Sequence, residues 1–205
     1  MITVIDYGLG NLASVVNALE KIETPYEVSS SPLMVKQAER LILPGVGAAG
    51  QGMNNLKKFN LDKAIIEEVK NGKPILGICL GMQLLFEQSE EGNVSCLGLF
   101  KGKVKKFIKE RKVPQIGWNN VKFLTSNQEG KSLYKDIPNF SFFYFVNSYY
   151  CQPERPSIIA GESNYGEKFA SVVVKNNIIG TQFHPEKSGK VGFKLLENFA
   201  KRIIC

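Results

Sequence analysis

The sequence predicts an α/β protein: a mostly parallel central sheet flanked by helices, with an added antiparallel sheet in the second half. Three observations predict it. In the first half, short and wholly apolar runs alternate with stretches of helical periodicity, the rhythm of strands buried on both faces under covering helices. In the second half the apolar runs are separated by Gly, Asn and Pro, as in antiparallel hairpins. The chain has 205 residues, of which 43% are hydrophobic and 22% charged, which suits one globular domain over 1–205 with room for a sizeable core.

The elements follow in order. Residues 2–5 read as a strand, 12–22 as a helix, 26–28 as a short strand, 33–38 as a helix and 41–43 as a strand. Helical spacing returns at 52–58 and 61–70, then a strand at 74–78 and a helix at 82–88. Strand-like runs follow at 102–108, 115–123, 142–146, 157–161, 169–174 and 178–182. A closing helix runs from 190 to about 203, with Val191, Leu195, Phe199 and Ile203 on one face. No internal repeat, low-complexity segment or linker divides the chain.

Composition excludes several classes. The four cysteines, Cys79, Cys96, Cys151 and Cys205, form no C-x-x-C pair, and the chain has one histidine; a zinc site is not expected, and neither is a disulfide framework. The start runs directly into Ile2-Thr3-Val4-Ile5 without the features of a secretory signal. No apolar stretch reaches the ~18 residues of a membrane span, so the expected location is cytoplasmic, without a membrane partner. The net charge is +7, much of it in Lys101, Lys103, Lys105, Lys106, Lys109, Arg111 and Lys112. A solvated hairpin is the leading reading of that run. A surface for a phosphorylated ligand or acidic partner comes next, and no aromatic interleaving supports nucleic acid.

The chemistry concentrates in two segments. Gly77-Ile78-Cys79-Leu80-Gly81 follows an apolar strand and opens a helix. A nucleophile on such a sharp strand-to-helix turn is strained and lifted clear of the sheet, and flanking side chains would collide, hence the glycines. A helix N-terminus also favours the thiolate. A buried structural cysteine between packing glycines is the alternative. The second segment holds the only histidine, in Thr181-Gln182-Phe183-His184-Pro185-Glu186. It follows a strand and so falls at a strand's C-terminal edge, where open α/β sheets place ligands. His184 would move the thiol proton, and Glu186 would fix its tautomer and stabilise its charge. Acyl transfer also needs an oxyanion hole. Pro44-Gly45-Val46-Gly47 follows another strand of the same sheet, and Gly47 there and the Leu80 N–H are the candidate donors.

Together, Pro44-Gly45-Val46-Gly47, Gly77 to Gln83 and Gln182-Phe183-His184-Pro185-Glu186 resemble, in order, the three blocks of class I glutamine amidotransferases. Asp6-Tyr7-Gly8-Leu9-Gly10-Asn11, Gly117-Trp118-Asn119 and His184-Pro185-Glu186-Lys187-Ser188 narrow this to a resemblance, end to end, with the glutaminase (HisH-type) subunits of imidazole glycerol phosphate synthase.

The resemblance implies that Cys79 attacks L-glutamine to give a glutamyl thioester and ammonia. The ammonia would be channelled to a HisF-type (β/α)₈-barrel cyclase, the partner in a heterodimer. It implies glutamine binding by Gln83, Glu91, Ser148 and Tyr149, and partner or tunnel contacts by Asn11, Lys112, Trp118 and Lys187. It implies no cofactor and no metal. From its residues alone Glu91 reads equally as a surface acid, and Trp118 equally as core. The family often carries histidine where this chain has Gln115 and Asn147. That difference leaves open a paralogue that feeds ammonia to another synthase, such as one amidating a sugar. A stand-alone γ-glutamyl hydrolase and a scaffold with a relict site are the further alternatives. Gly8-Leu9-Gly10-Asn11-Leu12-Ala13 with Glu27 superficially fits a dinucleotide fingerprint, but the thiol constellation accounts for the chain better.

Overall fold

The computed structural model describes residues 1–108 and 112–201. Lys109 and Arg111 of the basic run, and Ile203 and Cys205, lie outside the described residues. The first half alternates β1 (Ile2–Ile5), α1 (Leu12–Lys21), β2 (Tyr26–Ser29), α2 (Pro32–Gln37), β3 (Arg40–Leu43), α3 (Ala49–Lys58), α4 (Leu61–Lys70), β4 (Ile75–Ile78) and α5 (Leu80–Leu84). The second half holds β5 (Gln88–Ser89), β6 (Val94–Ser95), β7 (Gly102–Lys106), β8 (Gln115–Asn120), β9 (Lys122–Phe123), β10 (Phe142–Asn147) and β11 (Tyr149–Pro153). It ends with β12 (Ile159–Tyr165), β13 (Glu167–Lys175), β14 (Ile178–Thr181) and α6 (Gly189–Lys201).

The parallel half has the order β2-β1-β3-β4-β14. The strand alternation is visible in the core. Leu41 and Leu43 pack with α3 and α4 through Leu56, Ile65 and Val69. Ile42, Leu76 and Ile78 face the other way, toward Val15 and Leu19 of α1 and Leu195 and Phe199 of α6. With apolar residues on both faces, the period-two signal disappears from sequence and a continuous apolar run remains. Beyond β14 the same sheet continues antiparallel through β13, β11 and β7, while β8 and β10 form a separate antiparallel pair.

Four expectations need correction. The helix anticipated at 82–88 stops at Leu84, and Gln88 lies in β5. Its carbonyls are taken elsewhere: Leu84, Leu85 and Phe86 accept from the N–H groups of Leu97, Leu99 and Gly98. The single strand anticipated at 115–123 is two, because β8 pairs with β10 while β9 pairs with β12. The strand anticipated at 157–161 starts with a 3₁₀ turn, Pro156–Ile158, and extends to Tyr165 through the polar Glu162-Ser163-Asn164. Strand β11 was not anticipated; its ladder with β7 outweighs the weak strand character of Cys151-Gln152-Pro153.

Candidate active site

The ends of β1, β3, β4 and β14 all lie on the C-terminal edge of the parallel sheet. The loops after them carry Tyr7 to Asn11, Pro44 to Gly47, Cys79 and His184. β4 runs into Cys79, whose φ of 53° and ψ of −109° are strained for a side-chain-bearing residue. The glycines around it are sterically required. A Cβ on Gly81 would stand 1.8 Å from the Leu43 carbonyl oxygen, and one on Gly77 would stand 2.7 Å from the Met82 nitrogen. The turn is held by Cys79 N–H donating to the Thr181 carbonyl at 2.7 Å, which fixes it to the end of β14.

His184 is placed by its own N–H, which donates to the Tyr144 carbonyl at 2.9 Å, and by Ser188, whose hydroxyl donates to the His184 carbonyl at 2.6 Å. Its Nδ1 meets Glu186 Oε1 at 2.7 Å, with both side chains buried. Burial works against the imidazolium, but hydrogen bonding and charge from Cys79 and Glu186 outweigh it and raise the His184 pKa well above its ordinary value. Around the sulfur, Gln182 Nε2 approaches at 3.7 Å, and the thiol reaches the Val146 carbonyl at 3.6 Å.

A cavity of about 220 Å³ opens over Cys79, lined in part by Gly47, Leu80, Gln83, Glu91, Ser148 and Tyr149. The expected glutamine-binding residues thus gather on one hollow. Two of them have internal partners as well. Gln83 Nε2 donates to the Tyr149 carbonyl at 3.0 Å and to Gln182 Oε1 at 3.2 Å. Glu91 Oε2 accepts from Ala49 N–H at 2.7 Å, capping α3, which has no side-chain cap from Ala48. Asn147 also lines the cavity, and Gln115 is its cross-strand partner; both are buried.

The two expected oxyanion donors differ. Gly47 has φ +111° at the cavity rim. The Leu80 N–H is not aimed at the cavity but donates to the Gly45 carbonyl at 3.4 Å. Among the interface candidates, Trp118 is 57% exposed, edge-on to Tyr144, so it is not a core residue. Lys112 and Lys187 are exposed. Asn11 caps α1 by accepting from Ser14 N–H at 3.2 Å. That cap occupies the helix end where a dinucleotide phosphate would sit, and Glu27 is held by the Thr3 hydroxyl at 2.6 Å. Among the described residues no cluster of three or more His, Cys, Asp and Glu is arranged to hold a metal. No helix among them is long and apolar enough to cross a membrane.

Sequence reasoning missed Gln182 and Tyr7. Gln182 carried a signal, its place just before Phe183 and His184. Tyr7 stood in the Asp6-to-Asn11 block that carries the resemblance, without a role of its own.

A family model for class-I glutamine amidotransferases matches residues 3–203. A solved structure described as a glutamine amidotransferase superposes with a TM-score of 0.76 at 14% identity, covering 97% of each chain. The chain belongs to the class-I glutamine amidotransferases. Two curated relatives are the imidazole glycerol phosphate synthase subunit HisH of Herpetosiphon aurantiacus and that of Dehalococcoides mccartyi. The first is 46% identical, covering 98% of this chain and 94% of the relative. The second is 47% identical, covering 98% and 97%. Within the class, the chain is a member of this HisH family.

Proposed function

We propose that this chain, as one amidotransferase domain, hydrolyses L-glutamine to glutamate and ammonia at Cys79. In the cytoplasm it would deliver the ammonia to a HisF-type (β/α)₈-barrel cyclase in a heterodimer for imidazole glycerol phosphate synthesis. The observations that carry the chemistry are a strained Cys79 lining a cavity at the end of β4 and a buried His184–Glu186 pair just after the end of the adjacent strand β14. The thiolate attacks the side-chain carbonyl carbon of glutamine, and the carbonyl π electrons move to oxygen. The imidazolium of His184 gives its proton to the amide nitrogen as the C–N bond breaks, and ammonia leaves a glutamyl thioester. His184 then takes a proton from water, whose oxygen attacks the thioester. The C–S bond breaks, and glutamate departs. Glu186 stabilises the charged ring at each stage.

Glu91 would bind the glutamine ammonium, while Ser148, Tyr149 and Gln83 would hold its polar ends. Partner docking is supported by one exposed face of the β8–β10 ribbon. Cross-strand alternation puts Ile116 and Trp118 of β8 on the same side as Phe142 and Tyr144 of β10, with Ile116, Trp118 and Phe142 each more than half exposed. Lys187 stands on the turn after His184, next to β10.

The test uses Cys79→Ala in the complex with the co-purified partner. Glutamine-dependent synthesis should vanish while synthesis from added ammonium persists. Glutamine turnover by the variant would refute the nucleophile, and a co-purifying synthase of another kind would refute the pathway.

A further inference from the structure

Tyr7 is completely buried, and its hydroxyl has no hydrogen-bond partner among the described residues. A phenylalanine would fill the same space without stranding a polar group, so the hydroxyl lowers the stability of this conformation. Its position is specific. A Cβ built on Gly45 would lie 2.4 Å from the Tyr7 oxygen, 2.8 Å from Leu80 Cβ and 3.0 Å from the Gly81 nitrogen. The phenol, the loop after β3 and the first turn of α5 therefore meet at one point.

At that point the Leu80 N–H donates to the Gly45 carbonyl at 3.4 Å, a long bond. The N–H after the nucleophile is the group that a tetrahedral intermediate's oxygen needs. It can serve only if Gly45 turns its carbonyl away. A buried carbonyl so released requires another donor, and Gly45 is buried. We propose that the Tyr7 hydroxyl is a positioning group for the oxyanion loop: it receives the Gly45 carbonyl when that carbonyl frees the Leu80 N–H for the intermediate. Burial first, and then the nearby Cys79 charge, push the Tyr7 pKa far up, so it remains a donor at every working pH. The idle hydroxyl of the resting site is the acceptor's destination in the working one.

This inference rests on the glutaminase reading, and the test separates the two. Wild type and Tyr7→Phe are compared as complexes with the partner, using glutamine turnover and binding of the γ-aldehyde analogue of glutamine. The aldehyde adds Cys79 as a tetrahedral hemithioacetal. A second comparison measures glutamine binding to Cys79→Ala and to Tyr7→Phe/Cys79→Ala. In Tyr7→Phe, kcat and aldehyde affinity should each fall about tenfold, the effect of one hydrogen bond. Glutamine affinity should hold, and the thermal midpoint should equal or exceed that of wild type. Wild-type kcat and aldehyde affinity in Tyr7→Phe, with turnover intact in both proteins, overturn the role of Tyr7 and leave the glutaminase reading standing. A lowered midpoint with glutamine affinity falling in parallel also overturns it, as the mark of a packing residue. A wild-type complex that does not turn over glutamine overturns both.

Discussion

Replacing Glu186 by Gln removes one charge and almost no volume. The carboxylate sits 2.7 Å from His184 Nδ1 with both side chains nearly inaccessible, so water does little to screen it. Two unit charges whose centres lie about 4 Å apart interact by about 4 kcal/mol at an effective dielectric near 20. A glutamine oxygen in the same place still accepts from Nδ1 and restores part of this. A net loss of roughly 3 kcal/mol remains when the ring is charged, which is about 10²-fold in kcat at 1.36 kcal/mol per decade. Glu186 does not line the cavity, so KM for glutamine should stay within a factor of about two while kcat carries the loss. The assay is steady-state glutamate release by the complex. Stability supplies a second readout. His184 has a folded pKa raised above its unfolded value, so its contribution is complete below the unfolded pKa and is lost as pH rises through the folded one. The stability gap between wild type and Glu186→Gln should therefore be widest in mildly acid solution and shrink toward alkaline pH, as measured by urea unfolding. A kcat within threefold of wild type, or a gap that widens with pH, would refute the pairing.

Gly81→Ala should lower the thermal midpoint by at least about 6 °C, because its methyl meets the Leu43 carbonyl oxygen at 1.8 Å and backbone overpacking costs about 3 kcal/mol or more; an unchanged melting curve would show that the elbow has slack. Glu91→Ala should raise KM for glutamine at least tenfold and also lower the melting midpoint by about 2–4 °C, since the same carboxylate caps α3; a shift in only one of the two measurements would separate the roles. Trp118→Ala should weaken partner binding by about 30-fold or more in titration calorimetry, at the ~2 kcal/mol of an aromatic anchor, with the free chain's melting unaffected; unchanged affinity would move the interface elsewhere.

What was legible in the sequence follows from where the information resides. The parallel half could be read because its strands are buried on both faces and so appear as continuous apolar runs between helical stretches. The nucleophile turn could be read because Gly77 and Gly81 answer collisions with atoms that any chain following this path would meet. His184 and Glu186 could be read because they are two residues apart on one short turn. The limits appear where a residue's role is set by a partner distant in sequence. β11 depends on β7, and α5 ends because residues 97–99 claim its carbonyls.

Glu91 shows the same dependence within the site. Sequence could weigh it only as ligand or surface acid. The structure gives it one oxygen on the Ala49 N–H, two residues beyond Gly47 of the oxyanion loop. If Glu91 binds glutamine as proposed, its carboxylate, which lines the cavity and caps the helix start behind that loop, would tie ligand binding to loop position. Tyr7 reaches the same loop at Gly45. Cys79 and His184 are held by short backbone bonds to Thr181 and Tyr144, whereas the Leu80 N–H is held by one long bond to Gly45. Control over this reaction is therefore easier to exert on the loop than on the nucleophile. Substitutions at Tyr7 and Glu91 should act on how often the loop is competent, and those at Cys79, His184 and Glu186 on what happens once it is.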